Sequence, residues 1–400
     1  MSVPLAWKNL THNKRRLAVA VAGVGFAVFL MFIEMGFKHA LIDSTVEVVN
    51  VMHGDLIVVS GARYALPSRQ RMPKQRLLQA RSHPEVFGAY PIYIENVFAV
   101  IKKINENGYP IRVIAFDLND PIFKQTVLGQ YREALTAPKT GIIDVKSKRK
   151  YGLTGDSPDE LLSYPVELAN RTLQLVGAFK LGTDFAIDGN VLMSSANYAK
   201  YFPYAAEGAD PLSQIDLGVV HLHEHSHDAN ADREADRKLA ARVRDELNAS
   251  LPGDVEVFTR EEFMQRERDF WNHATPVGYI FTVGMIMGFI VGMIICYQII
   301  YSDIEDHMSE LATLKAMGYG GRYFVKFVIR EAFYLSVLGF LPGLLVSWGV
   351  FGLLAGWTGL LLRLTVGRAI FVFILTLTMC IASGCLAIRK VVSMDPAELF

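Results

Sequence analysis

The stretch "SELATLKAMGY", residues 309–319, lies between two long apolar runs. On a helix, Leu311, Leu314 and Met317 fall on one face, with Ala312 and Ala316 nearby and Glu310, Thr313 and Lys315 on its borders. Gly318 suits the position just past a helix end, where a left-handed backbone closes the last turn. The segment is too short and too polar to cross a bilayer. A helix of this kind either lies in the membrane plane or docks its apolar face into a groove on a partner.

The flanking runs set its surroundings. The chain has 400 residues, 51% of them hydrophobic, and a mean hydropathy of +0.25. A hydrocarbon core of roughly 30 Å needs about 20 apolar residues as a helix. Four runs meet that length, at 17–37, 273–301, 327–351 and 369–388. Each is expected to be helical, because backbone facing lipid has to satisfy its own hydrogen bonds. The third run stays apolar, apart from Arg330 and Glu331, to about Leu362, more than one span needs, so it is divided at Phe351 with Trp357 in an interfacial segment. The first run follows Lys14-Arg15-Arg16 but exceeds the apolar core of a signal peptide, and no convincing small-residue cleavage site follows, so a retained span is expected.

Lys and Arg near the span ends set the expected orientation. The N-terminal tail, 1–16, carries Lys8, Lys14, Arg15 and Arg16 and no acid. It is expected to be cytoplasmic, as are the coupling segment 302–326 and the tail 389–400. Segment 38–272 and the loop 352–368 then lie outside, although Arg363 and Arg368 weakly oppose this. The expected fold class is a four-helix membrane protein with a large α+β extracytoplasmic domain between helices 1 and 2.

In that outer segment, Val- and Ile-rich strand signals recur at 54–60, 90–101, 111–117, 190–194 and 215–223, bounded by Gly, Pro and Asn. Asn107-Gly108 reads as a hairpin turn. Ala235, Leu239, Val243 and Leu247 mark a helix over 229–250, and "DVEVF" (254–258) a strand after it, so a βαβ or split βαβ unit is expected. Thr259 and Glu262 have capping-box spacing. The helix they open, and residues 38–52 on the other side, are expected to continue into the spans as stalks. Residues 139–160, rich in Lys, Gly, Ser and Pro, read as an exposed loop or a subdomain boundary.

The candidate chemistry is sparse. His221, His223, His225 and His227 alternate along "HLHEHSHD". Neighbours have a spacing compatible with chelation, but four in an extended row cannot all reach one ion, so a strand end and polar loop are expected rather than a metal site. Glu34, in the outer third of the first span, is expected to reach toward the headgroups. Gly284, Gly288 and Gly292 repeat every four residues and allow close helix packing, within the chain or in a dimer. Pro342 is expected to kink the third span. There is no G-x-x-x-x-G-K-[ST] motif and no G-x-S-x-G motif. No catalysis is expected in this chain. A net charge of zero leaves no basic footprint for nucleic acid. The three cysteines, 296, 380 and 385, all fall in spans, so the outer segment holds no internal disulfide.

The run Glu310-Leu311-Ala312-Thr313-Leu314-Lys315-Ala316-Met317-Gly318 resembles the cytoplasmic coupling element of FtsX/MacB-like ABC transporter permeases. The lead-in "AWKNLTHNKRR" (6–16), "VIREAF" (328–333), the tail "IRKVVSMDPAEL" (388–399) and the order of span, large outer domain and three spans are also similar. Within the family, "NVFAVIKKINENGYPIRVIAFD" (96–117) looks most like DevC-type permeases. The resemblance implies a homodimeric permease in the inner membrane, bound to two copies of a separate ABC ATPase that holds ATP and Mg²⁺. It also implies a periplasmic membrane-fusion adaptor and a TolC-like outer-membrane protein as partners. The implied ATPase contacts are Glu310, Leu311, Leu314, Lys315, Met317 and Gly318. The alternative is an FtsX-like transducer that regulates a cell-envelope enzyme without moving cargo; the outer domain, larger than is usual there, favours export.

Overall fold

The computed structural model describes residues 13–393 apart from 104–105, 124–127, 153–165, 185, 207, 209, 224–231, 359–361 and 363. Nine α-helices are described: α1 (Lys14–Asn50), α2 (Gln75–Arg81), α3 (Ser195–Tyr201), α4 (Asp232–Ser250), α5 (Arg260–Asp269), α6 (Pro276–Asp306), α7 (Met308–Ala316), α8 (Gly321–Thr358) and α9 (Val366–Ser393). Of these, α1, α6, α8 and α9 are long and apolar enough to cross a membrane. The chain forms two compact units, Met1–Ala40 with Pro276–Trp357 and Leu362–Phe400, and Leu41–Thr275 with Thr358–Leu361.

The second unit is built on an eleven-stranded mixed sheet. Its spatial order is Val255–Thr259, Leu56–Ser60, Leu217–Leu222, Val86–Glu95, Arg112–Phe116, Asn190–Ser194, Thr140–Asp144, Arg171–Phe179, Val166–Leu168, Val100–Lys103 and Tyr109–Pro110. The run Leu56-Ile57-Val58-Val59 is apolar throughout because both of its faces are covered. Leu56 and Val58 join the cluster with Leu77 of α2, Tyr198 of α3 and Val243 and Leu247 of α4. Ile57 and Val59 join the cluster with Val46 and Val49 of α1 and Phe263 of α5. Leu56–Ser60 pairs antiparallel with both Leu217–Leu222 and Val255–Thr259. The last two strands, joined through α4, therefore run parallel with one strand between them, a split βαβ unit.

Thr259 and Glu262 form the expected capping box at the start of α5. The hairpin expected at Asn107-Gly108 has paired flanks, Val100 opposite Pro110 and Ile101 opposite Tyr109. Two expectations are corrected. Thr140–Asp144 is not exposed loop but a strand buried along its whole length, between Asn190–Ser194 and Arg171–Phe179. And α5 does not run unbroken into the second span: after Asp269 the chain widens into a π-type turn, Phe270–Ala274, and Thr275 is extended at φ −119°, ψ 154°. Pro276 accounts for that break, since its ring disfavours helical backbone at the preceding residue. The third apolar run, divided in sequence at Phe351, is one helix to Thr358 with Pro342 inside it.

Several buried charges in this unit are paired. Arg63 and Asp216, at 1% and 2% exposure, meet at 2.8 Å, and Arg71 bridges Asp216 at 3.0 Å and Glu95 at 3.2 Å. Removing one partner would strand the other in a dry site. Glu267 of α5 is also buried and accepts the Leu66 backbone N–H at 2.6 and 2.9 Å. Burial pushes its carboxyl up to about 7, against the pull of the Leu66 amide, Arg266 and Arg63. Between the ordinary value of ~4.3 and that point the folded chain holds a proton the unfolded chain has released, so this group's contribution falls as pH rises through the window. The Glu267→Gln variant should therefore gain on the parent by up to ~3 kcal/mol between pH 4 and 8, read from thermal unfolding of the full chain in detergent at stepped pH.

Candidate functional site at one end of the helix bundle

The opening segment forms α7, a nine-residue helix that follows α6 after His307. Its end is a Schellman motif: the Gly318 N–H donates to the Lys315 carbonyl at 3.0 Å and the Tyr319 N–H to the Leu314 carbonyl at 3.2 Å. Gly318 takes φ +93°, a conformation that side chains resist. The apolar face is not a single surface. Ala312 is buried, and Leu314 and Met308 pack half-buried against the core of this chain's own helices. Met317 (64% exposed), Tyr319 and Tyr323 face outward, with the two tyrosine rings 4.7 Å apart. Glu310 is exposed and Lys315 half-buried; Leu311 lies on α7, with its side chain outside the described set.

The corner between α6 and α7 is held by charge. Arg16, in the first turn of α1, pairs with Asp303 at 3.4 Å and with Asp306, and donates to the Ile299 carbonyl at 3.2 Å. Glu331 of α8, 1% exposed, lies beside Asp303, and its Oε2 has no hydrogen-bond partner among the described residues. Arg16, Asp303, Asp306, His307, Glu310 and Glu331 line a cavity of about 230 Å³. Three helices of the bundle and the start of α7 thus meet in one polar cluster. Its ion pairs draw strength from partial burial, where screening by water and salt is weaker than at a free surface.

The three spaced glycines of α6 face this chain's own helices. A Cβ on Gly288 would lie 3.5 Å from Met31 and 3.6 Å from Leu30 of α1. On Gly292 it would lie 2.7 Å from the Ala27 Cβ of α1 and 2.3 Å from Met379 Sδ of α9, and on Gly284 2.5 Å from the Glu34 carboxyl carbon. Cys296 of α6 and Cys380 of α9 are buried side by side as free thiols, Sγ to Sγ 3.5 Å. The opposite face of α6, with Val283, Ile286, Met287, Ile290 and Ile294, is exposed.

The histidine row is split. His221 is buried near the end of its strand, with its ring centre 5.2 Å from that of His53 and 5.3 Å from Tyr90. Burial, and then His53, hold its imidazole below the ordinary range. His223 is exposed, edge-on to Phe87. His225 and His227 lie outside the described residues. The row also spells H-E-x-x-H through His223, Glu224 and His227. That pattern serves zinc chemistry when a helix brings both histidines to one face; here His223 leads out of a strand, its N–H bonded to the Glu85 carbonyl.

Arg16, Asp303, Asp306 and Glu331 were not legible as a site. Arg16 reads as an orientation signal, and the charge of Arg330-Glu331 as an interruption in an apolar run. That interruption is the one available clue, since a buried acid in a span normally has a function and a partner.

The architecture is that of a four-span membrane protein with a large α+β domain between its first and second spans. Residues 282–396, which hold most of α6 and all of α7, α8 and α9, match the family model described as FtsX-like permease C-terminal. No curated protein matches the chain. Among solved structures, it is similar to the periplasmic region of MacB from Actinobacillus actinomycetemcomitans (10% identity, 53% of this chain and 91% of that one, TM-score 0.33). It is also similar to the extracellular domain of the noncanonic ABC-type transporter YknZ from Gram-positive bacteria (12% identity, 51% and 98%, TM-score 0.31).

The glycine contacts predict opposite results for two similar substitutions. Gly288→Ala adds a methyl at ordinary contact distance and should leave thermal stability in detergent unchanged. Gly292→Val forces a branched side chain against Ala27 and should cost about 1–3 kcal/mol, read as a lowered Tm of the purified chain.

Proposed function

We infer that the chain is the permease subunit of an ABC-type exporter, of the DevC-type group of FtsX/MacB-like permeases. It works as a homodimer in the inner membrane with two copies of a separate ATPase that binds ATP and Mg²⁺, and performs no catalysis itself. Both ends of the chain and α7 are cytoplasmic, and the sheet domain is periplasmic. There it serves substrate already outside the membrane, together with a membrane-fusion adaptor and a TolC-like outer-membrane duct.

The observation that carries this reading is α7: a capped helix with Met317 and Tyr319 turned outward, rooted in the Arg16–Asp303–Asp306 cluster. A helix fixed at its base and apolar at its tip can receive a push and pass it to α1 and α6. The matched permease family supports the assignment. Leu314 packs inward, so the ATPase contact falls to Met317, Tyr319 and the bordering Glu310 and Lys315. The second copy of the chain meets the exposed face of α6, because its glycine face is filled by α1 and α9.

Two substitutions separate docking from transmission. Met317→Glu should weaken co-purification of the ABC ATPase by at least tenfold while membrane insertion is unchanged. Arg16→Ala should leave co-purification intact and abolish most of the permease-dependent stimulation of ATP hydrolysis. Full ATPase recovery with Met317→Glu would count against the docking surface, and full stimulation with Arg16→Ala against the linkage.

A further inference from the structure

The outer domain holds an arrangement that the transport reading does not use. His221 Nε2 is buried with no hydrogen-bond partner among the described residues. In the tautomer with its proton on Nδ1, the ring presents a bare lone pair at Nε2, the form in which an imidazole binds a metal.

A second imidazole is at hand. The His53 ring lies 5.2 Å from that of His221, centre to centre. Two imidazoles on one tetrahedral ion, each nitrogen about 2 Å from it, have ring centres roughly 5 Å apart. His53 is exposed, and its place is set by its neighbours. Its backbone N–H donates to the Ile122 carbonyl at 2.6 Å. Gly54 allows the chain to press against the Leu217–Leu222 strand, since a Cβ there would fall 2.3 Å from Val219. Both rings line a cavity of about 780 Å³, with Asp55, His223, Asp236 and Glu261 also on its wall. Asp55, Asp236, Glu261 and Glu262 outnumber Arg237 and Arg260 on that wall, which leaves it net negative.

We propose that His221 Nε2 and the His53 imidazole bind one divalent transition-metal ion in this cavity, of the Zn²⁺, Ni²⁺ or Cu²⁺ kind that imidazole favours. Among the described residues no three His, Cys, Asp or Glu side chains are gathered as a ready cage. The ion therefore has two protein ligands and keeps exchangeable positions for water or an incoming donor, unlike a closed structural zinc site. His223, turned to Phe87, is not a ligand. The inference needs only the folded outer domain and stands apart from any role of α7.

The test is calorimetric titration of Zn²⁺ into the full chain in detergent, purified without a histidine tag. One equivalent should bind, and His53→Ala and His221→Ala should each weaken it at least tenfold, while His83→Ala and His223→Ala should leave it unchanged. His221 is buried and its variant can lose its fold, so His53→Ala at an exposed position carries the test, with an unchanged Tm as the control. In the Cu²⁺-loaded chain, electron paramagnetic resonance should show two coordinated imidazole nitrogens. Absence of Zn²⁺ binding, equal affinity in the parent and His53→Ala, or loss confined to His223→Ala would each overturn the proposal.

Discussion

The Arg16 guanidinium grips the last turns of α6 and so fixes where α7 begins. Without it, Asp303 and Asp306 would face each other, beside the buried Glu331, with no guanidinium between them. Such a cluster costs more free energy broken than intact, because each acid would lose its compensation in a poorly solvated place. That asymmetry makes the corner suited to transmitting motion. Displacing α7 strains an ion cluster shared by three helices, and does not simply bend a loop.

The bundle and the sheet domain reach order by different physics. In the bundle, no solvent-driven gain brings helix to helix, so the seam depends on close contact at Gly292 against Ala27 and Met379. In the sheet domain, burial of Leu56, Ile57, Val58 and Val59 on alternating faces supplies the drive, and the Arg63–Asp216–Arg71–Glu95 network compensates the charge buried with them. Gly54 belongs to the same logic. A bare backbone there sets the exposed His53 imidazole beside the buried one of His221.

Features encoded locally were legible in the sequence. Four apolar runs announced the spans, Thr259 and Glu262 the start of α5, Gly318 the end of α7, and the four-residue spacing in 235–247 the helix α4. Features created by long-range pairing were hidden. Thr140–Asp144 reads as loop because polar and glycine-rich neighbours surround five residues whose pairing partners lie far along the chain, in strands at 171–179 and 190–194. The approach of Arg16 to Asp306, and of His53 to His221, joins residues 290 and 168 positions apart, which no local pattern records. The face of α7 was half legible: helical spacing placed Leu314 and Met317 together, and only the packing of Leu314 against the bundle separates their roles.

In the proposed function, the tip beyond α7 meets a nucleotide-hydrolysing partner in the cytoplasm. A photo-crosslinking amino acid at position 319, activated in living cells, reads that contact. The expected adduct contains an ABC ATPase and is lost when residue 317 is made acidic. A probe at 319 that crosslinks to periplasmic protein, or that a membrane-impermeant reagent modifies from outside the cell, would rule the contact out.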